Sequence, residues 1–450
     1  MNEPYDLIAI GSGTAAQVAI GRVRERGWRV AVIDHRPFGG TCALRGCDPK
    51  KMLVSGEEAL DAARRMSAHG IDGALHIDWA KLIAFKRSFT DPIPAKQAKR
   101  YADLGVDAYH GLARFAGPDK VAVEGRELVG RHILIATGAS PVPLDIDGEE
   151  LVSTSDDFLE LESLPRRIVL IGGGYIAAEF SHLAARAGAQ VTILQRGPRL
   201  LPQFDGDLVG WLMPSFDALD ITVCSNLSAT GVLRSGSELL VDARSRTGEE
   251  ICVAADYVIH AGGRAPDLAA LDLKAGNVAV DQGRLSLTDG LQSTSNPRVY
   301  AAGDAAGRGP PLTPVSSHDA KIVTANMLDN AGARPDYRGV PSVAFTVPPI
   351  AAVGLNESDA RAEGLRFRVS AASVPEWFTA RRLNEPVYGY KLLIEEGTDL
   401  VLGAHLVGPG ADEVINLFGL AIRQGVTADA LRSTMFAYPT AASDIGSMLI

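Results

Sequence analysis

Four cysteines in 450 residues are far too few for a disulfide scaffold. No segment approaches the ~20 uninterrupted apolar residues that a membrane-spanning helix needs, so no membrane partner is expected. Basic residues are in deficit: Lys plus Arg is 44 against 54 Asp plus Glu, a formal charge of −10. With no dense basic tract, nucleic acid is not an expected partner. The start, Met1-Asn-Glu-Pro-Tyr-Asp, lacks the basic and apolar stretches of a signal peptide. The expected compartment is the reducing cytoplasm, where a close cysteine pair reads as catalytic or metal-binding before structural. What the chain does have is 46% hydrophobic residues, enough for several cores, and a length suited to about three domains.

Leu7-Ile-Ala-Ile is a short apolar run followed at once by Gly11-Ser-Gly13-Thr-Ala-Ala16. A helical stretch follows to about Arg26, and Trp28-Arg-Val-Ala-Val-Ile reads as a strand ending at Asp34. In such a strand–turn–helix–strand unit Gly11 permits the tight turn and Gly13 lets the backbone approach a pyrophosphate. Ala16 allows close helix packing, and an acid at Asp34 meets a ribose hydroxyl. The pattern recurs: Ile168-Val-Leu-Ile leads to Gly172-Gly-Gly174-Tyr-Ile-Ala177 and then to the strand Val191-Thr-Ile-Leu. Two copies imply two dinucleotides on one chain. In the second copy the ribose position is Gln195, which removes the repulsion an acid would exert on a ribose phosphate, and Arg196 and Arg199 add cations. NADPH is therefore favoured over NADH.

Between the first acid and the next helix lies Gly39-Gly-Thr-Cys42-Ala-Leu-Arg-Gly46-Cys47-Asp-Pro-Lys50-Lys51. Residues five apart on an ideal helix have Cα atoms about 8–9 Å apart, whereas a disulfide wants less than ~7 Å. Bridging therefore needs a departure from helix, which Gly46 permits. A resident metal is not expected, because no further Cys or His cluster stands at ligand spacing. Cys224 and Cys252, each alone in a strand-like run, are expected to be buried packing residues.

Gly40-Thr-Cys42…Gly46-Cys47-x-Pro49-Lys50-Lys51 resembles the redox disulfide of the flavoprotein disulfide reductases, the class I pyridine nucleotide-disulfide oxidoreductases. Glutathione reductase, dihydrolipoamide dehydrogenase and mercuric reductase belong to that group. Later motifs resemble the same family in order: Ile135-Ala-Thr137-Gly138, Ala261-Gly-Gly263-Arg264-Ala-Pro266, Tyr300-Ala-Ala-Gly303-Asp304, Leu312-Thr-Pro-Val315, Phe345-Thr-x-Pro-Pro349 and Gly403-Ala-His-Leu-Val-Gly-Pro409. The resemblance implies an α/β enzyme with two Rossmann-like domains, for FAD and NAD(P), and a C-terminal α+β dimerisation domain. It places an FAD domain at 1–147 plus 277–338, an NAD(P) domain at 148–276 and the dimerisation domain at 339–450. Thr41, Lys51, Thr137, Gly138, Gly303 and Asp304 then fall to the flavin side, and Gly172, Gly174, Tyr175 and Gly263 to the nicotinamide side.

By the same resemblance Cys47 is the thiolate beside the flavin and Cys42 the interchange thiol facing the substrate. Lys50 and Glu179 would form an ion pair near the flavin's reactive nitrogen, and Tyr175 would cover the flavin until nicotinamide arrives. The helix after Leu312-Thr-Pro-Val315 would aim its N-terminus at the flavin. His318 on it matches no catalytic residue and reads as an ordinary helix position. A homodimer is implied, with Tyr438 of one chain over Cys42 of the other.

The pattern breaks at the C-terminus. Disulfide-reducing members carry a His-Pro-Thr segment with an acid three residues after the Thr; here Tyr438-Pro439-Thr440 is followed by Ser443, with Asp444 one place late. A phenol, reference pKa about 10, is a poor proton shuttle beside an imidazole at about 6.5. Mercuric reductases share the tyrosine, but this chain ends Ser447-Met-Leu-Ile450 without their C-terminal cysteine pair. The expected activity is an NADPH- and FAD-dependent reduction of a small acceptor, Hg(II), another metal ion or another oxidant. The alternatives are a true disulfide reductase and a slow-turnover redox-sensing flavoprotein.

Overall fold

The computed structural model describes residues 3–449, which divide into two compact units. The first comprises residues up to 50, 85–142 and 264–337; the second comprises 51–84, 143–263 and 338 onward. Among the described residues no helix is long and apolar enough to cross a membrane.

In the first unit β1 (Tyr5–Ile10) lies between β2 (Val30–Asp34) and the strand Arg126–Ile135, parallel to both. Asp107–His110 and Val299–Ala301 extend the parallel sheet at its two sides. Leu7, Ile8 and Ala9 are fully buried, as expected of a parallel strand covered on both faces, which is why the run is continuous and not alternating. Helix α1 (Thr14–Arg24) lays Ala16, Ala19 and Ile20 on that sheet. It ends before Arg26, and β2 begins at Val30, two residues after the expected Trp28.

The second unit repeats the scheme. Arg167–Ile171 lies between Gln190–Gln195 and Tyr257–His260, all parallel, and the helix Tyr175–Arg186 follows the second glycine turn. Its C-terminal part is a five-stranded antiparallel sheet carrying the helix Ala411–Gln424. The chain is thus α/β with two dinucleotide-type sheets and a C-terminal α+β portion. The apolar runs near 401–407 and 415–422 mostly fill that portion's core, through Val401, Leu406, Ile415 and Phe418. Leu420, Phe378, Met435 and Tyr438 nevertheless stay exposed.

Two cysteine expectations need correction. Cys252 is exposed and Cys224 only half-buried. Cys252 lies on the outer strand of the three-stranded sheet of 227–255, opposite Asp242. The run Ile251-Cys-Val-Ala-Ala255 is apolar throughout, so it did not say which face looks outward.

The second unit also holds a buried charged network. Arg186 donates to Glu57 Oε1 at 2.7 Å, to Asp61 Oδ1 at 2.9 Å and to the Val347 carbonyl at 2.9 Å. Arg65 donates to the other oxygen of Asp61 at 2.7 Å. His182 Nδ1 accepts from Arg186 and from the Val347 amide, so its ring is neutral, in line with a pKa held well below the ordinary value by burial. Burial pushes the Glu57 carboxyl up to about 8 against the pull of Arg186.

Candidate active site

Both glycine turns are built alike. Gly11 has φ +104° and Gly172 φ +119°, and a Cβ on either would lie 2.2 Å or 2.1 Å from the carbonyl oxygen of Ala136 or Ala261. Each first glycine is therefore fixed both by backbone conformation and by contact with the end of the neighbouring strand. A Cβ on Gly40 would strike Gly13 Cα at 2.3 Å, so the chain leading to the cysteines lies directly against the first turn. Asp34 accepts from Ser12 N at 2.9 Å, Ser12 Oγ at 2.6 Å and Arg36 N at 2.9 Å, tying the end of β2 to the turn.

The far side of this cradle holds Thr137, Gly138, Gly303 and Asp304. Thr137 Oγ1 is buried without a partner, an orphan that a bound polar group would satisfy. Burial raises the pKa of Asp304, opposed by the charge of Arg264. One residue here was not anticipated: Asp319, fully buried, accepts from Gly303 N at 3.0 Å and from the Tyr337 hydroxyl at 2.8 Å, and so pins the Gly303–Asp304 turn. The only sequence signal was an acid on an otherwise apolar helix face. His318 is half-buried, its Nε2 accepting from Asp336 N, an ordinary helix position. These features fit a dinucleotide such as FAD.

The cysteines sit at a helix break. Helix α2 (Gly40–Arg45) carries Cys42 beside the half-buried Thr41, and α3 (Cys47–Arg65) begins at Cys47. A Cβ on Gly46 would lie 2.9 Å from the Thr41 carbonyl and 3.3 Å from Cys42 Cα. Glycine there lets the chain fold back until the sulphurs meet. Both cysteines are thiols in this structure and hydrogen-bonded to one another. Thr313 Oγ1 donates to Cys42 Sγ at 3.0 Å and lies 3.8 Å from Cys47 Sγ. The hydrogen bond from Cys42 lowers the Cys47 pKa to about 6 against the effect of burial, helped by Thr313 and the charge of Lys50. Cys42 is pushed upward by the same hydrogen bond and by burial. One proton is shared, and the negative charge rests on Cys47.

In the second unit Tyr175 packs edge-on against Phe204 at 5.5 Å, next to Gly174. Glu179 is buried and accepts from Phe345 N at 2.8 Å. Lys51 pairs with Glu58 at 2.5 Å and lies over the Phe345 ring. Gln195 folds over Gly173 and donates to the Arg199 carbonyl at 3.1 Å. Arg199 spends its guanidinium on the carbonyls of Leu201 and Pro202, whereas Arg196 is exposed. Gly263 has a left-handed φ after the strand Tyr257–His260. Tyr438 is 78% exposed, its ring stacked on Phe378. Ser443 donates to the Thr440 carbonyl, and Asp444 accepts from the Tyr388 hydroxyl at 2.8 Å.

Two glycine cradles and a dithiol at a helix break define a nucleotide-dependent redox protein. Residues 5–320 match the model of the pyridine nucleotide-disulphide oxidoreductases, and residues 340–449 match the dimerisation domain of the same proteins. The chain belongs to this family of FAD-dependent, pyridine nucleotide-using enzymes. It is 32% identical over 448 residues to a mercuric reductase of Staphylococcus aureus, covering 98% of this chain and 81% of the relative. It is also 32% identical over 445 residues to a glutathione reductase of Burkholderia cepacia, covering 98% and 97%. Among solved structures, the Cu(II) complex of the HOCl-induced flavoprotein disulfide reductase RclA from Escherichia coli superposes with a TM-score of 0.89. That match has 27% identity and covers 100% of this chain and 99% of the other.

Proposed function

We propose that this protein is an NADPH-dependent reductase that delivers two electrons through Cys42 and Cys47 to a small acceptor, foremost a thiophilic or redox-active metal ion: one Hg(II), or two Cu(II) each taking one electron. Bound FAD supplies the two-electron relay between nicotinamide and sulphur. The chain's own part is to hold it, through Gly11, Gly13, Asp34, Thr137 and Asp304, and to keep a thiolate at Cys47. Cys42 is the sulphur that meets the acceptor. Lys50 and Glu179 are read as charges serving the flavin, and Tyr175 as its cover.

The observation that carries the choice of acceptor is the surrounding of Tyr438. A leaving thiol needs a proton from an acid oriented by a partner, worth typically 10²–10⁴-fold. Neither Ser443 nor Asp444 is directed at Tyr438, since both are engaged elsewhere in their own unit. A metal ion bound as a thiolate complex needs no such acid. Similarity to mercuric reductases and to a reductase solved with Cu(II) supports the same reading. Purified enzyme should oxidise NADPH at least about tenfold faster with Hg(II) or Cu(II) than with oxidised glutathione; the reverse order would favour the disulfide-reductase alternative.

The preference for NADPH rests on Gln195 and Arg196. With Arg199 committed to backbone carbonyls, Arg196 is the cation open to a ribose phosphate. A charge-assisted contact is worth on the order of 1.5–3 kcal/mol. Arg196→Ala should therefore narrow the NADPH-to-NADH ratio of kcat/KM by roughly 10- to 150-fold. An unchanged ratio assigns Arg196 to the solvated surface.

The dimerisation domain supports a homodimer, and exposed Phe378, Leu420, Met435 and Tyr438 supply apolar surface for it. In this reading the active sites are shared, Tyr438 of one chain facing Cys42 of the other.

A further inference from the structure

The residue after the second cysteine is an acid, and the helix break puts it to use. Asp48 lies in the first turn of α3, exposed, beside the exposed Cys47. Because Gly46 folds the start of α3 back onto α2, Asp48 Oδ1 comes 3.8 Å from Cys42 Sγ and accepts from that thiol. Thr313 donates to the same sulphur. The Cys42 proton thus has two acceptors, Cys47 Sγ and Asp48 Oδ1. The first is engaged whenever Cys47 serves the flavin. The second stays open to solvent.

We propose that Asp48 is the proton acceptor for the interchange thiol, doing within one chain part of the work for which Tyr438 is poorly equipped. The inference rests on Cys42 being the sulphur that meets the acceptor. The Cys42 S–H bond breaks as the sulphur attacks: the proton passes to Asp48 Oδ1, and the electron pair stays on sulphur and forms the bond to the metal ion in place of one of its ligands, or to one sulphur of a disulfide whose other sulphur leaves as a thiolate. Asp48 then releases the proton to water. A thiol held protonated by its neighbour and by burial is a poor nucleophile until its proton has somewhere to go, because only the thiolate attacks.

The test follows the thiol and so does not depend on the physiological acceptor. FAD-loaded enzyme, reduced anaerobically, is mixed with a chromogenic dipyridyl disulfide, and the fast release of thiopyridone is timed. Cys42→Ser should abolish the fast phase. Asp48→Asn should slow it by about 10²-fold while flavin reduction by NADPH keeps its wild-type rate. Since Asp48 is exposed, added acetate should reach the gap in Asp48→Ala and restore the rate in proportion to its concentration. A fast phase surviving in Cys42→Ser overturns the assignment of Cys42, and this proposal with it. A fast phase lost there but unchanged or quicker in Asp48→Asn overturns the role of Asp48 alone, as does Asp48→Ala that acetate fails to rescue.

Discussion

Cys47→Ser should lower acceptor-linked turnover by roughly 10⁴-fold or more, the scale on which removal of a covalent catalytic group is felt. FAD should stay bound, because the glycine cradle, Asp34 and Asp304 do not involve the sulphur. Cys42→Ser should cost about as much, and the double variant little more, since in the proposed function both sulphurs act as one redox pair. The two variants separate spectroscopically. Two-electron-reduced wild type should show a long-wavelength band from a thiolate next to the flavin, and Cys47→Ser should lack it. With Cys47 lowered to about 6, the thiolate is present above that pH and is protonated below it. The band should therefore fade as pH falls through about 6. A band in Cys47→Ser would move the thiolate to another residue.

Arg186→Leu should destabilise the protein by about 3–5 kcal/mol, the cost of leaving buried polar partners unpaired. The substitution strips donors from Glu57, Asp61, His182 and the Val347 carbonyl at once. Urea unfolding of the FAD-loaded enzyme measures it, and a loss below about 1 kcal/mol would mean the network relaxes or admits water. The same network gives a pH dependence. Glu57 has a folded pKa of about 8, above its ordinary carboxylate value. Between the two the folded state binds the extra proton, so this group lowers stability as pH rises from about 5 to 8. Glu57→Gln should flatten that decline.

Features set by local constraint were legible in the sequence. A left-handed glycine pressed against a carbonyl leaves a fixed spacing, which is why Gly11 and Gly172 announced two cradles. Cys42 and Cys47 were legible through their close spacing and the resemblance of the motif around them, with Gly46 supplying the freedom to leave the helix. What escaped were groups whose meaning lies in distant partners. Glu57 and Asp61, like His182 and Arg186, stand four apart on their helices, the spacing of an ordinary solvated face, yet Glu57, His182 and Arg186 are buried, and Arg186 and Arg65 reach the carbonyls of Val347 and Leu383. Arg199 looked like a phosphate ligand, but its fork caps the carbonyls of its own loop. Asp48 carried no reading in the sequence; only the fold-back at Gly46 brings it to Cys42.

Counting thiols is the most direct test of the redox pair. The chain has four cysteines, of which Cys224 and Cys252 lie apart on separate strands. Oxidised, FAD-loaded protein, denatured anaerobically and titrated with a thiol reagent, should give two thiols. After one equivalent of NADPH it should give four, with the two new ones mapping by mass spectrometry to Cys42 and Cys47. Four thiols before reduction, or new thiols elsewhere, would contradict the account.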